Sequence, residues 1–415
     1  MPFSLCAASG ALLAFATICL PHAALAQSAG DDSDLFPRDE QILRFGTSDR
    51  NITIAPFIQL DGGYVSPEPG GGSGFSEELR LARLYLYGAY DQFGGTLAFD
   101  LENDDFPIRY AFVTYEPNDR LTYQFGQQDE PFSLQDLSGS RFLPFAEAGQ
   151  SATLGTGDNV GAQIRYGGDD HSLSLGVFGG DLNNSVRDNG IAVTGRATWA
   201  PIYRESEITR GGDAADDGVG TQRVDDLLHL GAAISVRGDI DRSFSFGGNA
   251  NSSLTSRTLA ASPTFDGADT LVRANLEAAR SIGSLSFQGE LTGIHVDAPG
   301  LSGFGHGGYL YTTYFVTGER RGYDRQAGTF GRVVPINPID EGGFGAFEIG
   351  ARADYLDLSD LGPESGTQFG LSAVANLYLT KRFTLTADYS YTQATSGPND
   401  GDRVHAVTGR FQFAY

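Results

Sequence analysis

Residues 383–391 read FTLTADYSY. In an extended chain successive side chains point to opposite faces, so Phe383, Leu385, Ala387, Tyr389 and Tyr391 share one face while Thr384, Thr386, Asp388 and Ser390 share the other. The stretch is therefore a strand with one apolar, aromatic-ended side and one side of hydroxyls and charge. The preceding segment, 367–380, alternates too, and Thr380–Arg382 between them is a tight turn. In NVGAQIRYG (159–167), Val160, Ala162, Ile164 and Tyr166 oppose Asn159, Gly161, Gln163 and Arg165. In IAVTGRATWA (191–200), Ile191, Val193, Ala197 and Trp199 oppose Thr194, Arg196 and Thr198.

Working outward, the pattern repeats from Asn51 to Tyr415 in segments of about ten residues, separated by Gly, Asp, Asn and Pro clusters. The segments fall at 51–65, 78–90, 93–102, 107–116, 119–127, 157–167, 170–180, 189–200, 225–237, 269–280, 283–296, 305–317, 342–356, 367–380, 382–393 and 403–415. Sixteen strands is an even number within the range of outer-membrane barrels. A soluble sandwich or propeller alternates as well, but these apolar faces lack a second sheet's worth of core. Alternate connections are tight, as in single-chain barrels: Tyr90 to Phe93, Gly167 to Asp170, Ser281 to Gly283 and Thr380 to Arg382. Pro201–Val224 and Gly318–Glu341 are too long for simple turns, so either the strand count is off by a pair or these stretches are excursions.

Composition agrees. Of 415 residues, 56 are Gly, 28 Phe and 18 Tyr, with 40% hydrophobic and 19% charged, which excludes a disordered acidic chain and a helical membrane protein. After residue 26 no run reaches the ~18 apolar residues of a spanning helix, so any membrane crossing is by strands. Residues 1–26 are apolar and small, and Ala24-Leu25-Ala26 fits a signal-peptide cleavage site near Ala26, although no Lys or Arg precedes the apolar run. Cleavage there removes Cys6 and Cys19, the only two cysteines, and leaves a short acidic leader at 27–50 before the barrel domain at 51–415.

The chain carries 52 Asp and Glu against 28 Lys and Arg, a net charge of −24, which excludes a general nucleic-acid binder. Much of the acid lies in connections, at Asp213, Asp216, Asp217, Asp225 and Asp226, where it is solvated or binds divalent cations bridging lipopolysaccharide phosphates. Alternation assigns Arg83, Arg165, Arg196, Arg237, Arg273, Arg352 and Arg410 to the interior face, beside Asp100, Glu102, Glu277, Glu290, Glu348, Asp354 and Asp388. The two signs are about balanced. Each arginine is either an anion contact or half of a cross-lumen pair, as Arg273 and Glu277 on one strand suggest. Tyr90, Phe93, Tyr309, Tyr311 and Tyr314 suit interfacial girdles; Tyr85 and Tyr87 suit a girdle too, or, since alternation places them inward, the lining of a narrow slide. The sequence holds no G-x-S-x-G, H-E-x-x-H or phosphate-cradling loop, and His171, His229, His295, His306 and His405 are scattered, suiting surface or girdle positions. Neither catalytic residues nor a metal or cofactor site is indicated.

GQQDEPFSL at 126–134 and SGSRFLPFAEA at 138–148 resemble the pore-loop region of the phosphate-selective porins of the O and P type. SEELRLARLYLYG at 76–88 is similar to that family's early arginine-rich strand, and the likeness continues through 314–338, 347–360 and 376–391. The resemblance implies a sixteen-stranded homotrimeric porin whose loop after the fifth strand, here Gln128 to Thr156, folds inward. Gly126, Gln127, Gln128, Asp129, Glu130, Pro131, Phe132 and Ser133 would form its start, Arg141 would lie on it, and Arg80 and Arg83 would be the early-strand arginines. The final Phe411-Gln412-Phe413-Ala414-Tyr415 is similar to the strand by which the barrel-assembly machinery recognises its clients. Two departures stand out: Gln128-Asp129 replaces the Phe-Lys of many relatives, and Lys381 is the only lysine.

The sequence thus points to an all-β outer-membrane porin of a Gram-negative bacterium, passing small solutes, with phosphate or other anions the implied cargo. A weakly selective or cation-preferring pore is one alternative, and a structural or adhesion barrel closed by its long loops is another.

Overall fold

A computed structural model describes residues 43–415 except 48, 67–73, 103–104, 184–188 and 207–221. Sixteen strands form the wall: β1 (Arg50–Val65), β2 (Gly74–Tyr90), β3 (Phe93–Asp100), β4 (Ile108–Asn118), β5 (Leu121–Asp129), β6 (Asp158–Gly167), β7 (His171–Phe178), β8 (Ile191–Glu205), β9 (Gln222–Phe244), β10 (Phe265–Ile282), β11 (Leu285–Ala298), β12 (Leu301–Phe315), β13 (Ala346–Asp357), β14 (Thr367–Tyr378), β15 (Phe383–Ser396) and β16 (Arg403–Ala414). Each pairs antiparallel with its neighbours in chain order, and β1 closes on β16 from Phe57 opposite Ala414 to Val65 opposite Ala406. Closure leaves the wall without a free edge, the condition for placing strands in lipid. The sixteen segments read from alternation correspond to these strands one for one.

Burial separates this barrel from a soluble sandwich. Along β15 the polar Thr384, Asp388 and Ser390 are buried, whereas Phe383, Leu385 and Tyr389 are 37%, 41% and 43% exposed. The apolar face of the wall looks outward and the polar face is packed inside, the reverse of a water-soluble core. Tyr90 and Phe93, each 58% exposed at the tight-turn end, occupy girdle positions. Tyr309 and Tyr311 do not. They point inward on β12, stacked with ring centres 5.7 Å apart, in phase with the buried Thr313, and their hydroxyls donate to Glu290 and Gln288 on β11.

The long Gly318–Glu341 stretch is an excursion and not a missing strand pair. Within it Gly322–Asp324 pairs with Thr329–Gly331, and the hairpin packs inside the wall, where Tyr323 and Phe330 are buried. Its first strand also extends the start of β9 through Gly322 and Tyr323 opposite Arg223 and Gln222. From the other end of the barrel, residues 245–264 turn inward too, with Asn251 Nδ2 donating to Asp354 at 3.0 and 3.1 Å. The signal-peptide reading, residues 27–42 of the acidic leader, and Asp213, Asp216 and Asp217 lie outside the described residues, while Arg44–Gly46 at the leader's end pairs with the start of β1.

The candidate pore

The connection between β5 and β6, residues 130–157, crosses the interior, and its course follows from what each end must satisfy. Gly126 on β5 has φ of +126°, and a Cβ there would lie 2.1 Å from the Ala111 carbonyl oxygen, so only glycine lets β5 pair with β4 at this point. Beyond it Gln128 is buried, its Nε2 donating to the Gly161 carbonyl at 3.1 Å. Asp129 accepts from Tyr110 Oη at 2.6 Å and Arg109 Nη2 at 3.2 Å. Glu130, 2% exposed, accepts from Arg237, Thr194 and, at 2.8 Å, Asn159 Nδ2. Phe132 is buried beside it.

A single helical turn, α1 (Leu134–Ser138), follows, capped by Ser133 Oγ accepting from the Asp136 amide at 3.4 Å. The amides of Leu134 and Gln135 donate to the two oxygens of Glu290 on β11, at 3.0 and 2.8 Å. A buried carboxylate thus receives two donors that a helix start otherwise leaves unpaired. The chain then reaches the far wall. Gln412 Nε2 donates to the Arg141 carbonyl at 3.1 Å, Asn376 Nδ2 to Pro144 O at 2.9 Å, and Arg410 Nη1 to Ala146 O at 2.6 Å. Glu147 pairs with Arg80 at 3.0 Å, and its carbonyl accepts from Arg352 Nη1 at 2.6 Å.

The interior arginines expected from alternation all face inward, but their environments divide. Arg196, Arg352 and Arg410 are buried against Glu277, Asp354 and Asp61 at 2.6, 2.9 and 2.7 Å. Arg196 also donates to the hairpin carbonyls of Ala327 and Gly328 at 3.1 and 2.7 Å, holding that excursion against the wall. Arg83 pairs with Asp100, and Arg237 with Glu130. The Arg273–Glu277 pair suggested by their spacing does not form. Glu277 is taken by Arg196 and by the buried His229, which sits between Glu277 at 3.1 Å and Tyr323 Oη at 2.7 Å and is therefore neither a surface nor a girdle residue. Arg273 instead donates to the Leu154 carbonyl at 3.1 Å.

Between the crossing loop and the wall of β2–β6 and β9–β10 lies a cavity of about 810 Å³. Arg83, Arg165, Arg237 and Arg273 line it, as does Arg141 from the loop, whereas Arg80, Arg196, Arg352 and Arg410 do not. Two further arginines line it that alternation missed. Arg109 sits at a register shift in the β3–β4 pairing, where Tyr110 opposes Ala98 but Ile108 opposes Phe99, and this places Arg109 inward together with Tyr110. Arg242 lies beyond the expected end of its strand, inside another shift of β9 between Ile240 and Ser243. Among the described residues no carboxylate lies within ion-pairing distance of Arg141, Arg165, Arg242 or Arg273. Arg141 rests over the Tyr85 and Phe142 rings at 5.1 and 4.9 Å. The acids of the cavity wall are Asp129 and Glu130, already engaged, and Asp136.

Residues 73–415 match the family described as "Phosphate-selective porin O and P". The chain belongs to this family. Porin O of Pseudomonas aeruginosa is 26% identical over 363 residues, covering 80% of this chain and 78% of that protein. A protein of Caulobacter vibrioides is 27% identical over 344 residues, 78% of this chain, and the alignment spans 65% of that protein's length. Among solved structures, an anion-selective porin from Comamonas acidovorans superposes with a TM-score of 0.54 at 13% identity, covering 88% of this chain and all of the other. OmpT, an outer-membrane protein of Vibrio cholerae, gives 0.54 at 11% identity, covering 89% and 100%. At these identities the structural likeness is one of fold. A porin-family barrel with an outward apolar face belongs in the outer membrane.

Proposed function

We propose that the protein is a passive outer-membrane channel for small solutes that prefers anions, inorganic phosphate among them. The observation that carries this reading is the segregation of charge inside the barrel. Arg141, Arg165, Arg242 and Arg273 border the water-accessible space without a carboxylate partner, while Asp129 and Glu130 beside them are bound to Arg109 and Arg237. A passing anion meets available guanidinium groups whose planar donor pairs match carboxylate and phosphate oxygens. A cation meets Asp129 and Glu130 already paired, which leaves Asp136 as the one carboxylate among the described lining residues outside an ion pair. The near absence of lysine does not weaken this, because arginine alone supplies the positive surface.

Pore-loop residues Gln128, Asp129, Glu130 and Phe132 act in this reading as the anchored base of the constriction, and Arg141 as its charged tip. The homotrimer, contact with lipopolysaccharide, and recognition of the terminal β16 by the assembly machinery are parts of the same proposal, supported by family membership and the aromatic end of that strand. Single-channel recording in planar bilayers tests it. Open conductance in potassium chloride, reduced by millimolar phosphate, is the expected result. Absence of conductance would favour the barrel closed by its inward loops.

A further inference from the structure

The cavity has a second wall that anion conduction alone does not need. Tyr85 and Tyr87 on β2 stack with ring centres 5.5 Å apart and planes 7° from parallel. Tyr110 on β4 continues the row 6.2 Å from Tyr85, and Phe112 follows at 6.0 Å, edge to face. All four line the cavity, and across it stand Arg237 and Arg242 on β9 and Arg273 on β10. Phosphate can meet the hydroxyls of such tyrosines but has no apolar surface to set against the ring faces, which at Tyr87, Tyr110 and Phe112 are only half-buried, whereas Tyr85 is buried behind them. A ligand with a planar apolar face and an anionic end would use both walls.

We propose that the channel selects organic anions carrying an aromatic ring, with aromatic carboxylates as the class that fits; this rests on the anion-channel reading above. The row already accepts a planar cation in the required manner. The Arg141 guanidinium lies 5.1 Å from the centre of the Tyr85 ring. An arene stacked on the neighbouring Tyr87 would place its carboxylate within reach of Arg141, and offset stacking of this kind prefers ring centres about 4.5–7 Å apart. The acids nearest the row are not positioned to repel such a ligand as free charges, since Asp129 accepts from both Tyr110 and Arg109. Neutral arenes lack the charge that pairs with the arginines, and small inorganic anions lack a surface to set against the ring faces. Only the combination engages both.

The test compares benzoate, cyclohexanecarboxylate, acetate and inorganic phosphate as blockers of potassium chloride current through the purified full-length protein in planar bilayers. Benzoate is expected to block at concentrations about three- to tenfold lower than cyclohexanecarboxylate or acetate, the fold-change that ring stacking supplies beyond simple burial. Tyr87→Leu should bring the benzoate-to-cyclohexanecarboxylate ratio to about one, and Tyr87→Phe should keep it. Benzoate no better than cyclohexanecarboxylate in an anion-selective wild-type channel would overturn this inference and leave the anion channel standing. A cation-selective wild-type channel would overturn both. The wild-type ratio needs no variant, so a Tyr87 substitution that fails to fold leaves the proposal open to refutation.

Discussion

Arg352 and Arg273 sit on strands of the same barrel and point into the same interior, yet they do opposite things. Arg352, with Arg410 and Arg196, is buried against a carboxylate and holds an inward loop by its carbonyls. Arg273, with Arg141, Arg165 and Arg242, borders the cavity without an acid in ion-pairing range. The difference lies in what the inward segments bring. Where 130–157 and 316–345 press on the wall, the arginines are neutralised and become struts. Around the cavity, Arg83, Arg109 and Arg237 are paired with acids, but Arg141, Arg165, Arg242 and Arg273 meet no carboxylate and keep their charge available. Lumen charge counted strand by strand is balanced, whereas lumen charge counted at the cavity is cationic.

Substitutions break this comparison in order of size. Arg410→Ala leaves the buried carboxylate of Asp61 without its partner and should destabilise the barrel by about 3–5 kcal/mol, read from the urea midpoint in lipid vesicles. Arg273→Ala, lacking such a partner, should stay within about 1 kcal/mol of wild type in the same assay. Glu290→Ala frees the amides of Leu134 and Gln135 and should cost about 1–3 kcal/mol. It should also raise open-channel current noise as the loop loosens. The double variant Arg141→Ala, Arg273→Ala should lower the chloride-to-potassium permeability ratio roughly fivefold or more, since one charge at contact range in a wet pore is worth about 1 kcal/mol. An unchanged reversal potential would remove these two residues from the constriction.

The smallest effect concerns pH. Enclosure within the lumen, with Glu290 and Asp129 as neighbours and Arg109 opposing them, pushes the Asp136 carboxyl up to about 7. The group is neutral below that pH and negative above it, so anion preference should decline modestly from pH 6 to pH 8. Its exposure to lumen water screens the charge and keeps the step small. Asp136→Asn should flatten the profile.

Strand count and facing were legible in the sequence because alternation is local: a residue's face depends only on its neighbours along the chain. The exceptions are local as well. Arg109 and Arg242 escaped notice because register shifts at Ala98/Phe99 and Ile240/Ser243 interrupt the period, and nothing in the residues marks a shift beyond an out-of-phase charge. Partnership was not legible. Glu277 lies four residues from Arg273 in the chain but belongs to Arg196 and His229, brought together by the pairing of β8, β9 and β10. Tyr309 and Tyr311, aromatic residues on an aromatic-rich strand, turn inward because Glu290 and Gln288 accept their hydroxyls at 2.6 Å, a reason that exists only once β11 and β12 are paired.

Arginines without carboxylate partners should make the cavity anion-selective despite the net charge of −24. The reversal potential of the wild-type protein in a planar bilayer under a potassium chloride gradient tests it most directly. The expected sign is that of an anion-selective pore. A cation-selective potential would contradict it and show that the acidic surface, not the arginines of the cavity, governs what passes.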